Sequence, residues 1–398
     1  MNKYKTLAAL VATALLATAG AASAQTAVTG GGASLPADLY KGQADSILPA
    51  NFSYAVTGSG TGKKAFLENN SSLFQATGTV HFAGSDSVLS GTELSTYNST
   101  YNVSGDANRY GALVQIPSVA TSVTIPFNKA GSAVDLSVTQ ICGIFSGKIN
   151  NWSQLAGLGR TGAIQVVYRG ESSGTSELLS RFLTSACQPA DVSGTNLKLT
   201  NGVPAFSVQS TFANLFTTVP SNFIAAPATG GTSLYNAVYA VDGRVGYVGP
   251  DVIPSLTDAT KIAKVKGFSP DEVSVQATLE TAAPPTGAAA ENPANWVPVF
   301  GNPNAGYPIA GYTNFVFGQC YKNGTVGANV RAFLARHYGS VVDANGVEKG
   351  PNDDAIRAHK FIPLTKAWRD AVRTRFATAS NAGAVNNPST CSGIGRPL

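Results

Sequence analysis

At three places in this sequence a glycine- and serine-rich turn leads directly into a segment with helical character. Residues 57–64 and 168–175 each follow a short apolar run, and residues 30–36 form a third turn of this kind near the start. At such junctions the free backbone amides of the helix point toward whatever lies at its N-terminus. Strands that alternate with helices indicate an α/β fold with a mostly parallel sheet.

The apolar patterning extends this prediction along the chain. It predicts strands at residues 52–56, 123–127, 164–168 and 244–248. It predicts helices at residues 63–67, 175–183, 330–337 and 364–378, together with an exposed loop at residues 282–293. No internal repeat is evident.

The N-terminus has the features of a secretory signal peptide. Lys3 and Lys5 precede an apolar run at residues 7–17, and the small residues 22–24 predict cleavage before Gln25. The apolar run is too short to span a bilayer, which needs about 20 residues. No cysteine follows the cleavage position, so no lipid anchor is indicated. Removing residues 1–24 leaves 398 − 24 = 374 residues, enough for two domains of ordinary size.

Charge and composition exclude several classes of function. Without Lys3 and Lys5, 25 basic residues face 22 acidic ones, a net charge of +3, which argues against a nucleic-acid partner. The four cysteines all lie in the exported portion, where we expect disulfides, and three pairings are open. There is no C-x-x-C pair, and the three histidines are widely scattered. We therefore expect no metal and no cofactor.

The first two turns can bind an anion through backbone amides and hydroxyls. In residues 30–36, Ser34 precedes Pro36, which we expect at the first helical position; the alternative is a flexible N-terminal turn. Residues 57–64 resemble a nucleotide P-loop, but only three residues separate Gly58 from Gly62, and Lys64 replaces the required hydroxyl. The simpler interpretation is an anion site that includes Ser59.

The third turn carries the most chemistry. Arg169 supplies a planar fork matched to a tetrahedral oxyanion, and Ser173, Gly174 and Thr175 supply hydroxyls and amides at a helix N-terminus. The same turn also spells G-x-S-x-G, typical of a hydrolase nucleophile elbow. In that alternative Ser172 is the nucleophile, with His337 or His359 as its base.

A fourth segment, residues 80–87, ends an apolar run with Asp86. A carboxylate can accept a hydrogen bond from an anion that still carries a proton, as phosphate does and sulfate does not. The alternative is that Asp86 caps a helix or a turn.

These four elements, in this order, resemble the phosphate-binding component of the high-affinity phosphate ABC importer, and in particular its subgroup of DING proteins. The resemblance covers the mature chain and rests on GGGASLPADLY, AFLENN, HFAGSDSVLSGTELSTY, VDLSVTQICGIFSGKINNW, VVYRGESSGTSELLSRFL, NWVPVFG and CSGIGRPL. One departure is that Ala27, Val28, Thr29 and Gly30 stand where the eponymous D-I-N-G is expected.

The resemblance implies a type II periplasmic-binding-protein fold, with two α/β lobes and a ligand cleft between them. With crossings near Ala120 and Ile309, lobe one comprises residues 25–120 and 310–398, and lobe two residues 121–309. The pairing Cys142–Cys187 and Cys320–Cys391 keeps each disulfide within one lobe. Carried over by position, the phosphate contacts are Ser34, Leu35, Ser59, Asp86, Arg169, Ser173, Gly174 and Thr175, and Glu171 orients Arg169.

The implied function is binding of inorganic phosphate by a periplasmic or secreted monomer without a membrane anchor. The phosphate would be delivered to an ABC importer or scavenged outside the cell. Two alternatives stay open: a phosphomonoesterase, since members of the subgroup have been described as low-molecular-weight alkaline phosphatases, and an adhesive or signalling surface protein that kept the fold.

Overall fold

The computed structural model describes residues 26–398, so the predicted signal peptide lies outside the described residues. In chain order the strands are β1 (Gly30–Gly32), β2 (Ala55–Val56), β3 (Phe82–Ser85), β4 (Leu113–Ser122), β5 (Asp135–Leu136), β6 (Gln165–Tyr168), β7 (Leu199–Thr200), β8 (Val203–Pro204), β9 (Phe223–Ala225), β10 (Arg244–Val245), β11 (Lys264–Val265), β12 (Ala310–Gly318), β13 (Val341–Val342) and β14 (Glu348–Lys349). The helices are α1 (Ala37–Tyr40), α2 (Ser59–Leu67), α3 (Gly91–Thr100), α4 (Val138–Ser146), α5 (Gly174–Ala186), α6 (Pro189–Val192), α7 (Gly231–Tyr239), α8 (Glu272–Leu279), α9 (Gly324–His337), α10 (Asp353–Ala358) and α11 (Lys366–Val372).

The larger sheet has the strand order β2-β1-β3-β12-β4. Strand β1 runs parallel to β2 and β3, whereas β12 runs antiparallel to both β3 and β4. Strands β2, β1, β3 and β4 therefore all run in the same direction, which agrees with the expectation of a mostly parallel sheet, and β12 is the exception. Strand β12 comes from late in the chain and lies between β3 and β4, which belong to its first third.

The second sheet has the order β10-β6-β9, and all its strands are parallel. The strand predicted at residues 123–127 is wrong, because β4 ends at Ser122 and the next residues make only isolated bridges. These bridges join Thr124 to Val248 and Phe127 to Val245. Residues 123–127 therefore lie outside the larger sheet and run antiparallel to residues 245–248, which begin in strand β10 of the second sheet.

The remaining predictions differ from the structure mainly in their bounds. The strands at 52–56 and 244–248 shorten to β2 and β10, and the helices at 63–67, 175–183 and 330–337 extend to α2, α5 and α9. The helix at 364–378 is α11 followed by the π-helical turn Arg373–Ala377. The loop at 282–293 is mostly exposed and contains the 3-10 turn Gly287–Glu291.

Both predicted disulfides are confirmed. Cys142 and Cys187 join the helix α4 to the end of α5, and Cys320 and Cys391 join the residues after β12 to the C-terminal tail. The division into two lobes stays a prediction. The aromatic pair of Trp296 and Phe376, at 4.7 Å between ring centroids, brings a segment assigned to lobe two against one assigned to lobe one.

The C-terminal tail places one buried arginine against the larger sheet, although Leu398 is 84% exposed. Arg396 is fully buried and donates hydrogen bonds to the carbonyl oxygens of Val80 and Phe66. Its guanidinium lies 4.0 Å from the centroid of the Phe66 ring, a cation–π contact. The last residues thus complete the packing around the larger sheet.

Among residues 26–398, the helices are too short or too polar to cross a lipid bilayer.

Candidate functional site

The turn after β1 reaches across to the second sheet. Ser34 Oγ accepts a hydrogen bond of 3.0 Å from Arg169 Nη2. Leu35 is buried against Gly249, where an added Cβ would lie 2.0 Å from Leu35 Cδ1 and would push that side chain aside. Pro36 is the N-cap residue of α1 rather than its first residue, because its dihedrals (φ −88°, ψ 13°) are not helical. Of the two predicted residues of this turn, Ser34 therefore faces Arg169 and Leu35 faces Gly249.

The turn before α2 places Ser59 against Asp86. Gly58, with a φ of +86°, precedes the helix, and a side chain there would be strained. Ser59 is buried, and its Oγ accepts from the Asp86 amide at 3.1 Å and lies 3.4 Å from Asp86 Oδ2. Lys63 does not face the site, since its Nζ donates to Val88 O and pairs with Glu93 at 3.1 Å. A P-loop lysine would have to reach the phosphates, so the P-loop alternative is not supported.

Asp86 follows β3 and is buried, with only 3% of its surface exposed. Burial raises the pKa of Asp86 from its ordinary value of 3.8 to about 7, against the opposing effects of the nearby Thr313 hydroxyl, of Arg169 and of the Ser59 hydroxyl. Its Oδ1 is buried and has no hydrogen-bond partner among the described residues. Oδ2 accepts from the Ser59 hydroxyl, whereas Oδ1 is left to accept a hydrogen bond from a ligand or, at lower pH, to donate one.

Arg169 follows β6 and is held from three directions. Its backbone amide donates to Tyr247 Oη at 3.1 Å, and its guanidinium pairs with Glu171, the Nε–Oε1 distance being 2.5 Å. Glu171 Oε1 also accepts from the Gly230 amide at 3.0 Å. Burial raises the pKa of Glu171, but the hydrogen bonds from Arg169 and Gly230 hold it below the ordinary value. Arg169, only 2% exposed, is thus fixed in place and charged.

The N-terminus of α5 meets Asp86 and Ser59 directly. A Cβ added at Gly174 would lie 2.3 Å from Asp86 Cβ and 2.7 Å from Ser59 Oγ, so only a glycine allows this approach. Ser173 is the N-cap residue, and its amide donates to Ser210 O at 2.8 Å. Thr175 is 1% exposed, and its Oγ1 has no hydrogen-bond partner among the described residues. All four predicted turns therefore converge on one small region between the two sheets.

The hydrolase alternative needs a base in contact with Ser172. Ser172 Oγ instead donates to Ser210 Oγ at 3.1 Å. His337 is buried between Ser118 O and Asn352 Nδ2, and His359 lies 3.1 Å from Asp45. Neither histidine is hydrogen-bonded to the serine, so the sequence motif is present without the neighbouring base that this chemistry requires.

Sequence reasoning missed three residues that hold Arg169 and α5. Tyr247 Oη accepts from the Arg169 amide and lies 2.7 Å from Ser176 Oγ, Ser210 bonds residues 172 and 173, and the Gly230 amide fixes Glu171. A signal existed for Gly230, because Gly230 and Gly231 open α7 just after β9, in the same strand-to-helix pattern as the other turns. Tyr247 and Ser210 carry no comparable local signal.

Within residues 26–398, no group of three or more His, Cys, Asp or Glu side chains is arranged to hold a metal ion.

Several known proteins are similar to this chain. A family profile described as a PBP superfamily domain matches residues 17–334. Alkaline phosphatase L of Pseudomonas aeruginosa is 48% identical, over 100% of both chains. A solved phosphate-binding protein from Stenotrophomonas maltophilia is 94% identical over 94% of this chain and 100% of its own, with a TM-score of 0.90. A high-affinity periplasmic phosphate-binding protein solved with phosphate, PfluDING, is 44% identical over 94% and 100%, with a TM-score of 0.81.

The chain belongs to the PBP superfamily, among its DING-type phosphate-binding proteins. The family and the fold class expected from the sequence are confirmed. The departure from D-I-N-G falls on residues that lead this DING-type chain into β1. Val28 bridges to Phe52, and the Thr29 amide donates to His81 Nδ1 at 2.8 Å, so these positions support the strand and lie before the turn at Ser34.

Proposed function

We propose that this DING-type protein binds one inorganic phosphate between the turns of its two sheets. The proposed contacts come from all four turns: Ser34, Leu35, Ser59, Asp86, Arg169, Ser173, Gly174 and Thr175. Glu171 positions the Arg169 guanidinium.

The observation that carries this proposal is that two buried polar atoms, next to the fixed guanidinium of Arg169, have no hydrogen-bond partner among the described residues. Asp86 Oδ1 is a buried acceptor and Thr175 Oγ1 a buried donor, and neither has a partner within the described residues. Leaving such groups unpaired costs about 1–3 kcal/mol each. A protonated oxyanion satisfies both, because its O–H donates to Asp86 while its other oxygens accept from Thr175 and Arg169.

The way in which Asp86 and the bound oxyanion share protons favours phosphate as the ligand. With the Asp86 pKa near 7, the site and its ligand share protons between Asp86 and the phosphate near neutral pH. A hydrogen phosphate facing a protonated Asp86 and a dihydrogen phosphate facing an ionised one hold the same number of protons. Sulfate has none to share, so at a pH above 7, where Asp86 is ionised, it would place two unshared negative charges together.

The relatives support the same ligand. PfluDING is named as a high-affinity periplasmic phosphate-binding protein, and the Stenotrophomonas maltophilia protein as phosphate-binding. We extend this to an exported, monomeric receptor or scavenger, in the periplasm or outside the cell, with an ABC importer as the partner if phosphate is taken up.

A second candidate function is hydrolysis of phosphate monoesters in the same site. It is favoured by the name of the Pseudomonas aeruginosa relative, Alkaline phosphatase L, and by the position of Ser172. Ser172 packs on the α2 turn, where a Cβ added at Gly60 would lie 2.7 Å from its Oγ. Hydrolysis would need Ser172 or Ser173 as a nucleophile without a neighbouring histidine.

One experiment tests both candidates. Calorimetric titration of the rigorously purified mature protein with phosphate should show one saturable site, and no saturable heat would contradict the proposal. The same preparation is then assayed with a chromogenic phosphate ester. Loss of turnover in Ser172→Ala or Ser173→Ala, with little effect of EDTA, would place hydrolysis in this site. Turnover that survives both substitutions but not EDTA would point to a contaminating metalloenzyme or to an unrecognised metal site.

A further inference from the structure

Asp86 lies at the end of β3, directly beside the long strand β12. The two strands are antiparallel with Asn314 opposite Ser85, so the next pair along the strands brings Thr313 opposite Asp86. Asn314 Nδ2 donates to Ser85 O at 3.1 Å, which fixes the two strands to each other at this point. Residues directly opposite each other in such a pair have Cβ atoms about 5 Å apart, so their side chains can reach each other.

The side chain of Thr313 belongs to a cluster of three buried hydroxyl groups, with those of Tyr40 and Ser118. The Thr313 and Ser118 hydroxyls lie beside Tyr40 and oppose the effect of burial, which raises the pKa of Tyr40. The Tyr40 ring stacks on Phe315, two residues along β12 from Thr313 and on the same face, with 4.8 Å between ring centroids. None of the three hydroxyls has a hydrogen bond of ordinary geometry among the described residues.

The charge of Asp86 determines how such a cluster can be satisfied. Each hydroxyl has one proton to donate, whereas an ionised carboxylate can only accept. A chain of hydroxyls beside Asp86 is therefore satisfied when its last member, Thr313, donates to the carboxylate. Burial raises the pKa of Asp86, and among the groups that oppose this effect the Thr313 hydroxyl has the largest influence.

We propose that Thr313 is a positioning residue of the phosphate site, acting through Asp86. Its hydroxyl donates to the ionised carboxylate and favours the form that rejects sulfate, so Thr313 contributes to selectivity without contacting the ligand. This inference rests on the proposed function, because selectivity depends on Asp86 only if Asp86 faces the ligand. The competing interpretation is that the hydroxyl serves only Tyr40 and Ser118, and then its removal leaves Asp86 unaffected.

Charged and titratable groups face Asp86 from several other elements. Arg169 lowers the pKa of Asp86 and Asp251 raises it. Asp251, whose own pKa burial raises to about 6, titrates close to the range of Asp86. Tyr40 and Tyr54 also interact with Asp86, but burial raises the pKa of both phenols, so they stay neutral near pH 7. A variant that removes a single neutral hydroxyl leaves all these groups in place.

The titration of Asp86 is the first measurement. It is followed in the phosphate-free mature protein by the ¹³C signal of the carboxyl group, which Asp86→Asn identifies by its loss. Thr313→Val removes the hydroxyl, keeps the shape and suits a strand. A hydrogen bond to a charged group shifts such an equilibrium roughly tenfold or more, so the midpoint should rise by about one pH unit.

Two further variants and one control make this result specific to the hydroxyl. Thr313→Ala also lacks it and should show the same rise, whereas Thr313→Ser restores it and should return the midpoint to the wild-type position. Thr121→Val is the matched control. It removes an equally buried hydroxyl of the neighbouring strand β4, which donates to Ser122 O at 3.2 Å, and it should leave the midpoint unchanged.

Sulfate competition at pH 8 measures the consequence for the ligand. A midpoint that rises from about 7 to about 8 increases the protonated fraction of Asp86 from about one tenth to about one half. Sulfate should therefore compete about fivefold more strongly in Thr313→Val than in the wild type.

An unchanged midpoint in Thr313→Val, or a raised midpoint that Thr313→Ser does not restore, overturns the proposal. A raised midpoint with unchanged sulfate competition also overturns it, because the hydroxyl then acts on Asp86 but not on selectivity. Calorimetric titration of the wild type with phosphate separates this failure from that of the proposed function. Absence of saturable heat disproves the phosphate site, whereas the titration of Asp86 measures the contact with Thr313 without any ligand.

Discussion

The two sides of the proposed phosphate site differ in charge and in the hydrogen-bonding groups that they offer. The larger sheet contributes Ser34, Ser59 and Asp86, hydroxyls and a buried carboxyl group whose pKa is raised to about 7. The second sheet contributes Arg169 and the N-terminus of α5, which are positive. On the side of the second sheet, the ion pair with Glu171 orients Arg169. On the side of the larger sheet, Asp86 Oδ1 is an acceptor without a hydrogen-bond partner among the described residues.

This difference separates affinity from selectivity. The positive side attracts any oxyanion, because neither a guanidinium nor backbone amides distinguish phosphate from sulfate. In the proposed site, the side with Asp86 should distinguish them above pH 7, where Asp86 is ionised, because only a ligand that carries a proton can donate to its carboxylate. Substitutions on the two sides should therefore have effects of different kinds.

The largest effect is expected from Asp86→Asn, measured as selectivity. Sites that require a ligand hydrogen bond can reject an analogue without it by roughly ten-thousand-fold. The amide keeps the shape of Asp86 but offers a donor, so the variant should lose much of its preference for phosphate and gain measurable sulfate affinity. Competition titrations of both proteins against sulfate at pH 8, where the wild-type carboxyl group is ionised, measure this. If the wild type binds sulfate comparably, or the variant discriminates as well, then Asp86 is a capping residue instead.

Arg169→Ala should reduce the affinity for phosphate without restoring sulfate binding. Removing one partner of a buried charge pair costs on the order of 2–5 kcal/mol, or roughly 30-fold to several thousand-fold in Kd. Arg357→Ala removes a surface guanidinium and serves as the control. Calorimetry of the two variants side by side measures the loss, and near-wild-type phosphate affinity in Arg169→Ala would disprove the proposed site.

The raised pKa of Asp86 also predicts how the stability of the phosphate-free protein depends on pH. The folded state binds the Asp86 proton up to a pH of about 7, whereas the ordinary value is 3.8, so its contribution to stability is present below 3.8 and is lost as the pH rises through 7. Asp86→Asn has no such dependence. Its stability relative to wild type should increase by on the order of 2–4 kcal/mol between pH 4 and pH 8.

Thermal unfolding in phosphate-free buffer at several pH values measures this difference. His81 and His337, whose pKa values burial lowers to about 4, titrate in both proteins and cancel from the comparison. A stability difference that does not change with pH would show that Asp86 keeps an ordinary pKa.

The smallest effect is expected from Thr175→Val. This substitution removes a donor to a charged ligand, so phosphate affinity should fall about 10- to 100-fold. The stability of the unliganded protein should hold or rise, because the Thr175 hydroxyl has no partner of its own. Thr184→Val is the matched control, since it lies on the same helix and its hydroxyl bonds Ser180 O at 2.7 Å. Unchanged phosphate affinity in Thr175→Val would remove Thr175 from the site.

The turns of the site could be predicted from the sequence because each combines a local strand-to-helix pattern with residue types suited to an anion. Residues 57–64 and residues 168–175 each show both the strand-to-helix pattern and the suitable residue types within eight positions of the sequence. Tyr247 and the insertion of β12 between β3 and β4 could not be predicted in this way, because they depend on contacts between distant parts of the chain. Pro36 was misplaced by one position because local preferences do not determine where a four-residue helix begins.

The position of β12 has a consequence for biogenesis. The N-terminal third of the chain supplies β1 to β4, but β3 and β4 do not pair with each other, and the strand between them begins at Ala310. Arg396, bound to Val80 O and Phe66 O, is synthesised later still. A nascent chain therefore cannot close this sheet early, and such non-local pairing is intrinsically slow. Strands β3 and β4 therefore each present an unpaired edge until β12 has been synthesised, and such an edge can pair with another chain.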